Sequence, residues 1–221
     1  MTTTVEVLPD ADTVAARAAA FVAEQARAAV ADHGRFTFAV SGGRTPWAMF
    51  GHLAGENVPW DRTAVFQVDE RVAPAGDPDR NLAQLLASLP AGGEAEVHPM
   101  PVEADDLDAA ARCYAASLPA RLDLVHLGLG SDGHTASLVP GDPVLDVDDR
   151  LVAVTGVYMG RRRMTLTYPA LDTAHRVLWL VTGADKVDVL RRLRAGDRSI
   201  PAGRVHAPES ILIADAAAAA A

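Results

Sequence analysis

The stretch Leu122-Asp-Leu-Val-His-Leu-Gly-Leu-Gly-Ser-Asp-Gly-His-Thr-Ala-Ser-Leu-Val-Pro-Gly141 decides the fold. Its first half is apolar with few interruptions, as a strand buried on both faces of a parallel sheet must be. Gly128, Gly130 and Gly133 follow, and they let the backbone turn sharply and approach a ligand closely. Among them stand Asp132 and His134, two groups that can move or steer a proton. An imidazole at the carboxyl end of a central strand, on a glycine-rich turn, is where an open α/β sheet usually keeps its chemistry.

The same stretch contains Gly-x-Gly-x-x-Gly from Gly128 to Gly133, the spacing of a dinucleotide-binding turn. That motif needs a long helix after its third glycine, and Pro140, Gly141 and Pro143 end any helix here within about two turns. The next strand, Leu151 to Val154, also runs into Thr155 and Gly156 where an acidic residue is wanted. The match is read as accidental, and no nucleotide cofactor is expected.

Upstream, Ala11 to Asp32 sets Val14, Ala18, Phe21, Val22 and Val30 on one helical face and Arg17, Glu24 and Arg27 on another. A surface helix is expected there, ended by Gly34. Phe36 to Val40 reads as a short strand opening into Ser41-Gly-Gly-Arg-Thr-Pro46, with Thr45 as N-cap and Pro46 as first residue of a helix to Leu53. Such a junction gathers unpaired N–H groups and the positive end of a helix dipole, a setting for an anion. Ser41 and Thr45 offer hydroxyls, and Arg44 offers a guanidinium fork. Taken alone, Gly42 and Gly43 fit a plain tight turn equally well.

Thr63 to Val68 is a second buried strand, ending in Asp69-Glu70-Arg71. A run of charges ordinarily meets solvent. Here it falls on the same sheet edge as Ser41 and His134, which raises its functional weight. Then come Asn81 with a helix over Leu82 to Leu89, a strand over Val97 to Val102, and a helix over Asp105 to Leu118. Beyond the glycine turn, Leu151 to Val154 is a strand, Met164 to Leu171 a segment broken at Pro169, and Val177 to Val181 another buried strand. A helix opens at Gly183 and reaches about Ala195, and Ile211 to Ile213 forms a last strand. Lys186 lies at the start of that helix, against its dipole, so a bound anion would explain its placement.

Strands alternating with helices in this order give a three-layer α/β/α domain on a mostly parallel, Rossmann-like sheet. No repeat or composition shift divides the 221 residues, so one domain is expected, with Ala216 to Ala221 fraying. A net charge of -9 argues against a nucleic-acid surface, and Arg161 to Arg163 is too short a basic run to reverse that. No stretch approaches membrane-spanning length, and Met1 to Asp10 lacks the basic start and apolar run of a secretory signal. The single cysteine, Cys113, excludes an internal disulfide and is expected as a small core residue of a cytoplasmic protein.

Five blocks together resemble the 6-phosphogluconolactonases: Ser41 to Pro46, Val68 to Arg71 with Asn81 behind it, Gly128 to Pro140, Arg163 to Thr167, and Val181 to Lys186. They are collinear over almost the whole chain. The glucosamine-6-phosphate deaminases share that fold and the Asp-Gly-His core, but continue Ile-Ala-Phe-Asn-Glu-Pro, where the glutamate takes part in ring opening and proton transfer. This chain continues Thr-Ala-Ser-Leu-Val-Pro, and Val139 stands where that carboxylate would be. A departure from many lactonases is Val72-Ala73-Pro74, without the bulky residue usual after Asp-Glu-Arg.

The resemblance implies hydrolysis of 6-phosphoglucono-1,5-lactone to 6-phosphogluconate, in the oxidative pentose phosphate pathway, without metal or cofactor. His134 would be the general base, since an imidazole with an ordinary pKa of about 6.5 accepts a proton at neutral pH. Asp132 would orient it. The phosphate would sit on Ser41, Gly42, Gly43, Arg44 and Thr45, with Lys186 and either Arg71 or Arg163 adding charge. Asp69 and Gly130 would complete the substrate site, and the oxyanion donors are the N–H groups from Gly130 to Gly133 or the guanidinium of Arg71. A monomer or weak homodimer acting on a small sugar-phosphate lactone is expected. Two other readings stand beside it. One is a deaminase-like isomerase, which Val139 disfavours. The other is a sugar-phosphate sensor of the kind found in transcription regulators, which wants a basic helix-turn-helix that the first 35 residues do not supply.

Overall fold

Seven parallel strands make the central sheet of the computed structural model, in which residues 2–89 and 94–220 are described. Across the sheet they run β1 (Thr2–Leu8), β10 (Glu209–Asp215), β9 (Arg176–Val181), β6 (Leu124–Gly128), β2 (Phe36–Val40), β3 (Thr63–Gln67) and β5 (Glu96–His98). Every residue of β2 and β3 is buried, because helices cover both faces. One face packs against α1 (Ala11–His33) and α2 (Arg44–Leu53), the other against α4 (Leu107–Ser117) and α6 (Val187–Arg194). The three-layer α/β/α architecture expected from the alternation of elements is the one observed.

Strand order explains where a ligand can enter. From β2 the sheet grows through β3 to β5 in one direction, while from β6 it grows through β9 to β10 in the other. Neighbours β2 and β6 therefore send their following loops to opposite sides, and a crevice opens between those loops at the carboxyl edge. Ser41 to Thr45 follows β2, and the glycine turn follows β6.

Local chemistry sets the element ends. Helix α1 starts at a reciprocal box in which Asp10 accepts from the Thr13 N–H while the Thr13 hydroxyl accepts from the Asp10 N–H. It stops at Gly34, whose φ of 85° suits a residue without a Cβ and whose N–H donates to the Val30 carbonyl. After β6 no long helix forms; the chain goes through turns and a short 3-10 segment at Pro143–Asp146.

Several local expectations are corrected. Thr2–Leu8, unassigned from sequence, is an edge strand that pairs with β10. The predicted strand at Val97 to Val102 is limited to Glu96–His98. Asp69–Arg71 is a strand in its own right, β4, in a second, antiparallel sheet ordered β4, β8 (Arg163–Leu166), β7 (Val152–Val154). The segment broken at Pro169 resolves into β8 and a short helix, α5 (Tyr168–Asp172), with proline in its first turn, where no intrahelical donor is needed. Thr45 is not an N-cap: α2 already begins at Arg44, capped by Gly43, and Pro46 is its third residue.

Cys113 is exposed, because α4 turns Ala110, Ala111 and Tyr114 inward instead. Two residues of the Ala-rich tail pair with the body of the fold. Ala216 donates to the Leu8 carbonyl at 2.7 Å, and Ala218 is buried with its N–H 2.7 Å from Asp215 Oδ1. Ala221, the last residue of the tail expected to fray, lies outside the described residues. Among the described residues no helix is long and apolar enough to cross a membrane.

Candidate active site

The turn after β6 is folded by its own backbone. The Gly130 N–H donates to the His134 carbonyl at 2.8 Å, and the Gly133 N–H donates to the Gly130 carbonyl at 2.9 Å. Gly133 adopts φ 84°, and a Cβ there would lie 2.7 Å from the Ile200 side chain. This geometry returns the chain so that the His134 ring lies directly over Gly130.

Asp132 holds that ring from two residues away in the chain. Its Oδ1 accepts the His134 backbone N–H at 3.1 Å and lies 2.5 Å from the ring Nδ1. Partial burial pushes the Asp132 carboxyl up, but the backbone N–H and ring of His134 outweigh it and hold it below the ordinary carboxylate value. An ionised Asp132 assigns the proton to Nδ1 and leaves the lone pair on Nε2. Tyr158 completes the cluster: its hydroxyl donates to Asp132 Oδ2 at 3.3 Å, and its ring stands edge-on to His134 at 5.7 Å.

Opposite, the loop after β2 presents the start of α2, whose first N–H groups find no side-chain cap at Gly43. Gly42 is glycine for steric reasons, since a Cβ would lie 2.0 Å from Asn81 Oδ1. The Ser41 hydroxyl is committed to the His126 carbonyl at 3.2 Å, and Thr45 Oγ1 pairs with Thr182 Oγ1 at 3.0 Å. His126 itself is fully buried, and burial pushes its pKa down to about 3, so the ring stays neutral.

The charges of β4 are sorted by the packing. Glu70, wholly buried, accepts the N–H groups of Asn81 and Leu82 at 2.8 Å each and so caps α3 (Asn81–Ser88), while Arg80 Nε lies 3.1 Å away. It is a structural carboxylate. Asp69 accepts the Ser137 hydroxyl at 2.6 Å; burial pushes its carboxyl up, opposed by that hydroxyl and by Arg71 and Arg163. Arg71 donates through Nη1 to Asn81 Oδ1 at 2.6 Å and to the Asp79 carbonyl at 2.7 Å. Arg163 lies over the Tyr158 ring at 5.1 Å, and its buried Nε has no partner among the described residues. Burial lowers its pKa, against the pull of Asp69.

One cleft of about 840 Å³ collects these groups. Ser41, Gly42, Gly43, Arg44, Thr45, Asp69, Arg71, Gly130, His134, Arg163 and Lys186 all line it, and Asp132 stands behind His134. Lys186 lines the cleft beside Asp185, whose Oδ2 lies 3.0 Å from its Nζ. Asn81, quoted only as part of a motif, proves to hold both Arg71 and the Asp69 carbonyl. Tyr158 and Ser137 carry no sequence signal of their own, since nothing local tells that a hairpin 26 residues beyond Asp132 folds back onto it.

Over residues 9–213 the chain matches the family model described as glucosamine-6-phosphate isomerases/6-phosphogluconolactonase. It is 37% identical to a 6-phosphogluconolactonase of Synechocystis sp., over 93% of this chain and 86% of that one. Its fold is similar to that of a solved 6-phosphogluconolactonase from Shewanella baltica, with a TM-score of 0.88, 23% identity, and coverage of 97% and 98% of the two chains. It is also similar to a solved monomeric glucosamine-6-phosphate deaminase, with a TM-score of 0.83, 19% identity and 99% of each chain covered. Fold alone thus does not separate the two activities. The chain belongs to the glucosamine-6-phosphate isomerase/6-phosphogluconolactonase family.

Proposed function

We propose that this protein hydrolyses 6-phosphoglucono-1,5-lactone to 6-phosphogluconate, with His134 as general base. The observation that carries this is the Asp132–His134 pair, which leaves Nε2 free in a cleft whose far wall is the N-terminus of α2. The phosphate rests on the N–H groups of the Ser41 to Thr45 loop, with Arg44 and Lys186 supplying charge. Local donors must draw this dianion, because the protein as a whole is acidic.

Water attacks the lactone carbonyl carbon as Nε2 takes its proton. The carbonyl oxygen becomes an oxyanion, for which the Arg163 guanidinium is the better donor: its Nη1 is loosely held, 3.5 Å from Ser137 Oγ, whereas Nη1 of Arg71 is engaged by Asn81 and Asp79 at 2.6 and 2.7 Å. Collapse of the tetrahedral centre breaks the ring C–O bond, and the imidazolium returns its proton to the leaving alkoxide. Asp132 stabilises the imidazolium in between. The deaminase reading lacks its carboxylate: Val139 is an apolar, buried side chain and lies outside the lining of the cleft.

The test generates the lactone in situ from glucose 6-phosphate with its dehydrogenase and follows lactone decay. Wild type accelerates decay, while His134→Ala returns it to the background rate and still binds 6-phosphogluconate. A wild type that leaves decay unchanged overturns the proposal.

A further inference from the structure

We infer that Tyr158 is a positioning residue for the Asp132–His134 pair, held in place by a strained turn latched to the opposite side of the cleft. Residues 158 to 161 form a tight hairpin in which the Tyr158 N–H donates to the Arg161 carbonyl at 2.9 Å and the Arg161 N–H donates back at 3.3 Å. Its two central residues, Met159 and Gly160, have φ of 51° and 80°. Two positive φ values in succession define a primed turn, and methionine is a costly choice for one of them. The strain is sustained from outside: Arg161 Nη2 lies 3.0 Å from Asp77 Oδ2 and 3.3 Å from Asp79 Oδ2, on the loop that follows β4.

This latch aims Tyr158 inward while Val157 and Met159 stay exposed. The tyrosine then meets three partners at once. Its hydroxyl reaches Asp132 Oδ2 at 3.3 Å, its edge meets the His134 ring at 5.7 Å, and its face carries the Arg163 guanidinium at 5.1 Å. Burial, then the charge of Asp132, push the phenol above the ordinary tyrosine range, so it is a neutral donor at all working pH values. Around the His134 ring the charged and titratable groups are Asp132 on its own turn, Tyr158 on the hairpin and Arg163 on β8. Asp69 and Arg71 of β4, Arg44 of α2, Asp12 of α1, Asp215 of β10, the buried His126 and the Asp185–Lys186 pair line the rest of the cleft. Of these, Tyr158 is the side chain that hydrogen-bonds the second oxygen of Asp132.

The consequence is electrostatic as well as geometric. A hydrogen bond to Oδ2 draws carboxylate charge away from Oδ1, the oxygen that faces Nδ1. Losing it leaves more charge beside the imidazolium, which then persists to higher pH. The contact is long for an O–H···O bond, so the effect is modest.

The inference rests on the lactonase reading, and its test separates the two. Lactone decay is measured against pH for wild type, Tyr158→Phe and Tyr158→Ala, and the His134 ring is titrated by NMR in the same proteins. Tyr158→Phe is expected to move both the acid limb of kcat/KM and the His134 NMR titration to higher pH, with KM unchanged. Tyr158→Ala is expected to show the same shift and to raise KM by about threefold to tenfold as Arg163 loses its ring. A His134 titration in Tyr158→Phe that superimposes on wild type overturns the inference. Wild type without effect on lactone decay would sink the lactonase reading alone, because the NMR titration still decides the role of Tyr158.

Discussion

A Cβ atom on Gly130 would lie 2.1 Å from Nδ1 of His134, in the space the imidazole itself occupies. The glycine is therefore a seat for the ring as well as a turn residue. Gly130→Ala is expected to swing the imidazole off Asp132 and lower kcat/KM by about a hundredfold, the scale of a misplacement near 1 Å. Circular dichroism and thermal unfolding should show a folded protein. Wild-type kinetics in Gly130→Ala would show that the ring can act from elsewhere.

Asp132 and His134 share a contact of 2.5 Å, and the carboxylate fixes which ring nitrogen carries the proton. Asp132→Asn keeps the shape and removes the charge. The amide can donate to Nδ1 and leave the proton on Nε2, the wrong tautomer for a base. A fall in kcat of about a hundredfold or more is expected, with KM within about twofold of wild type. Steady-state rates on lactone generated in situ decide it; an unchanged kcat would remove Asp132 from the mechanism.

Glu70 has another task. With five groups gathered on it, from Gln67, Arg71, Arg80, Asn81 and Leu82, it joins β4 to the start of α3. Glu70→Ala strips the cap from α3 and leaves the buried Arg80 with Glu103 as its remaining ion-pair partner among the described residues. A loss of about 3–5 kcal/mol is expected from breaking a buried ion pair on one side. Urea unfolding measures it, and a midpoint within error of wild type would make Glu70 dispensable.

His126 predicts a pH dependence of stability. Its folded pKa is about 3, against about 6.5 unfolded, so between these values the unfolded chain binds a proton that the native chain refuses. Stability from this residue is therefore full above pH 6.5 and falls as the pH drops toward 3. By pH 5 the loss is roughly 2 kcal/mol. His126→Leu, which removes the titration, should flatten the acid side of the stability curve by that amount. Identical acid-side slopes in chemical denaturation would contradict the burial argument.

Much of this was legible in one dimension because its causes are local. The Leu124–Gly128 strand announces itself by an unbroken apolar run, and Gly34 ends α1 wherever α1 is packed. The loop from Ser41 to Thr45 and the turn at His134 were readable as strand-to-loop junctions, and parallel strands place such junctions on one edge. The fate of Asp69-Glu70-Arg71 was not readable. Three adjacent charges look alike in sequence, yet Ser137 claims the first, the α3 N-terminus the second, and Asn81 the third.

The amino-acid sequence by itself determined the layered α/β plan and placed the loop after β2 and the turn carrying Asp132 and His134 at strand ends, because periodicity and glycine positions fix them within a few residues of chain. The tertiary structure alone decided that Asp132 meets His134 and which groups surround the two. Tyr158 reaches Asp132 across 26 residues, and Ser137 reaches Asp69 across 68. Contacts at such separations depend on strand order and on a hairpin latched by Arg161, which only the folded sheet defines.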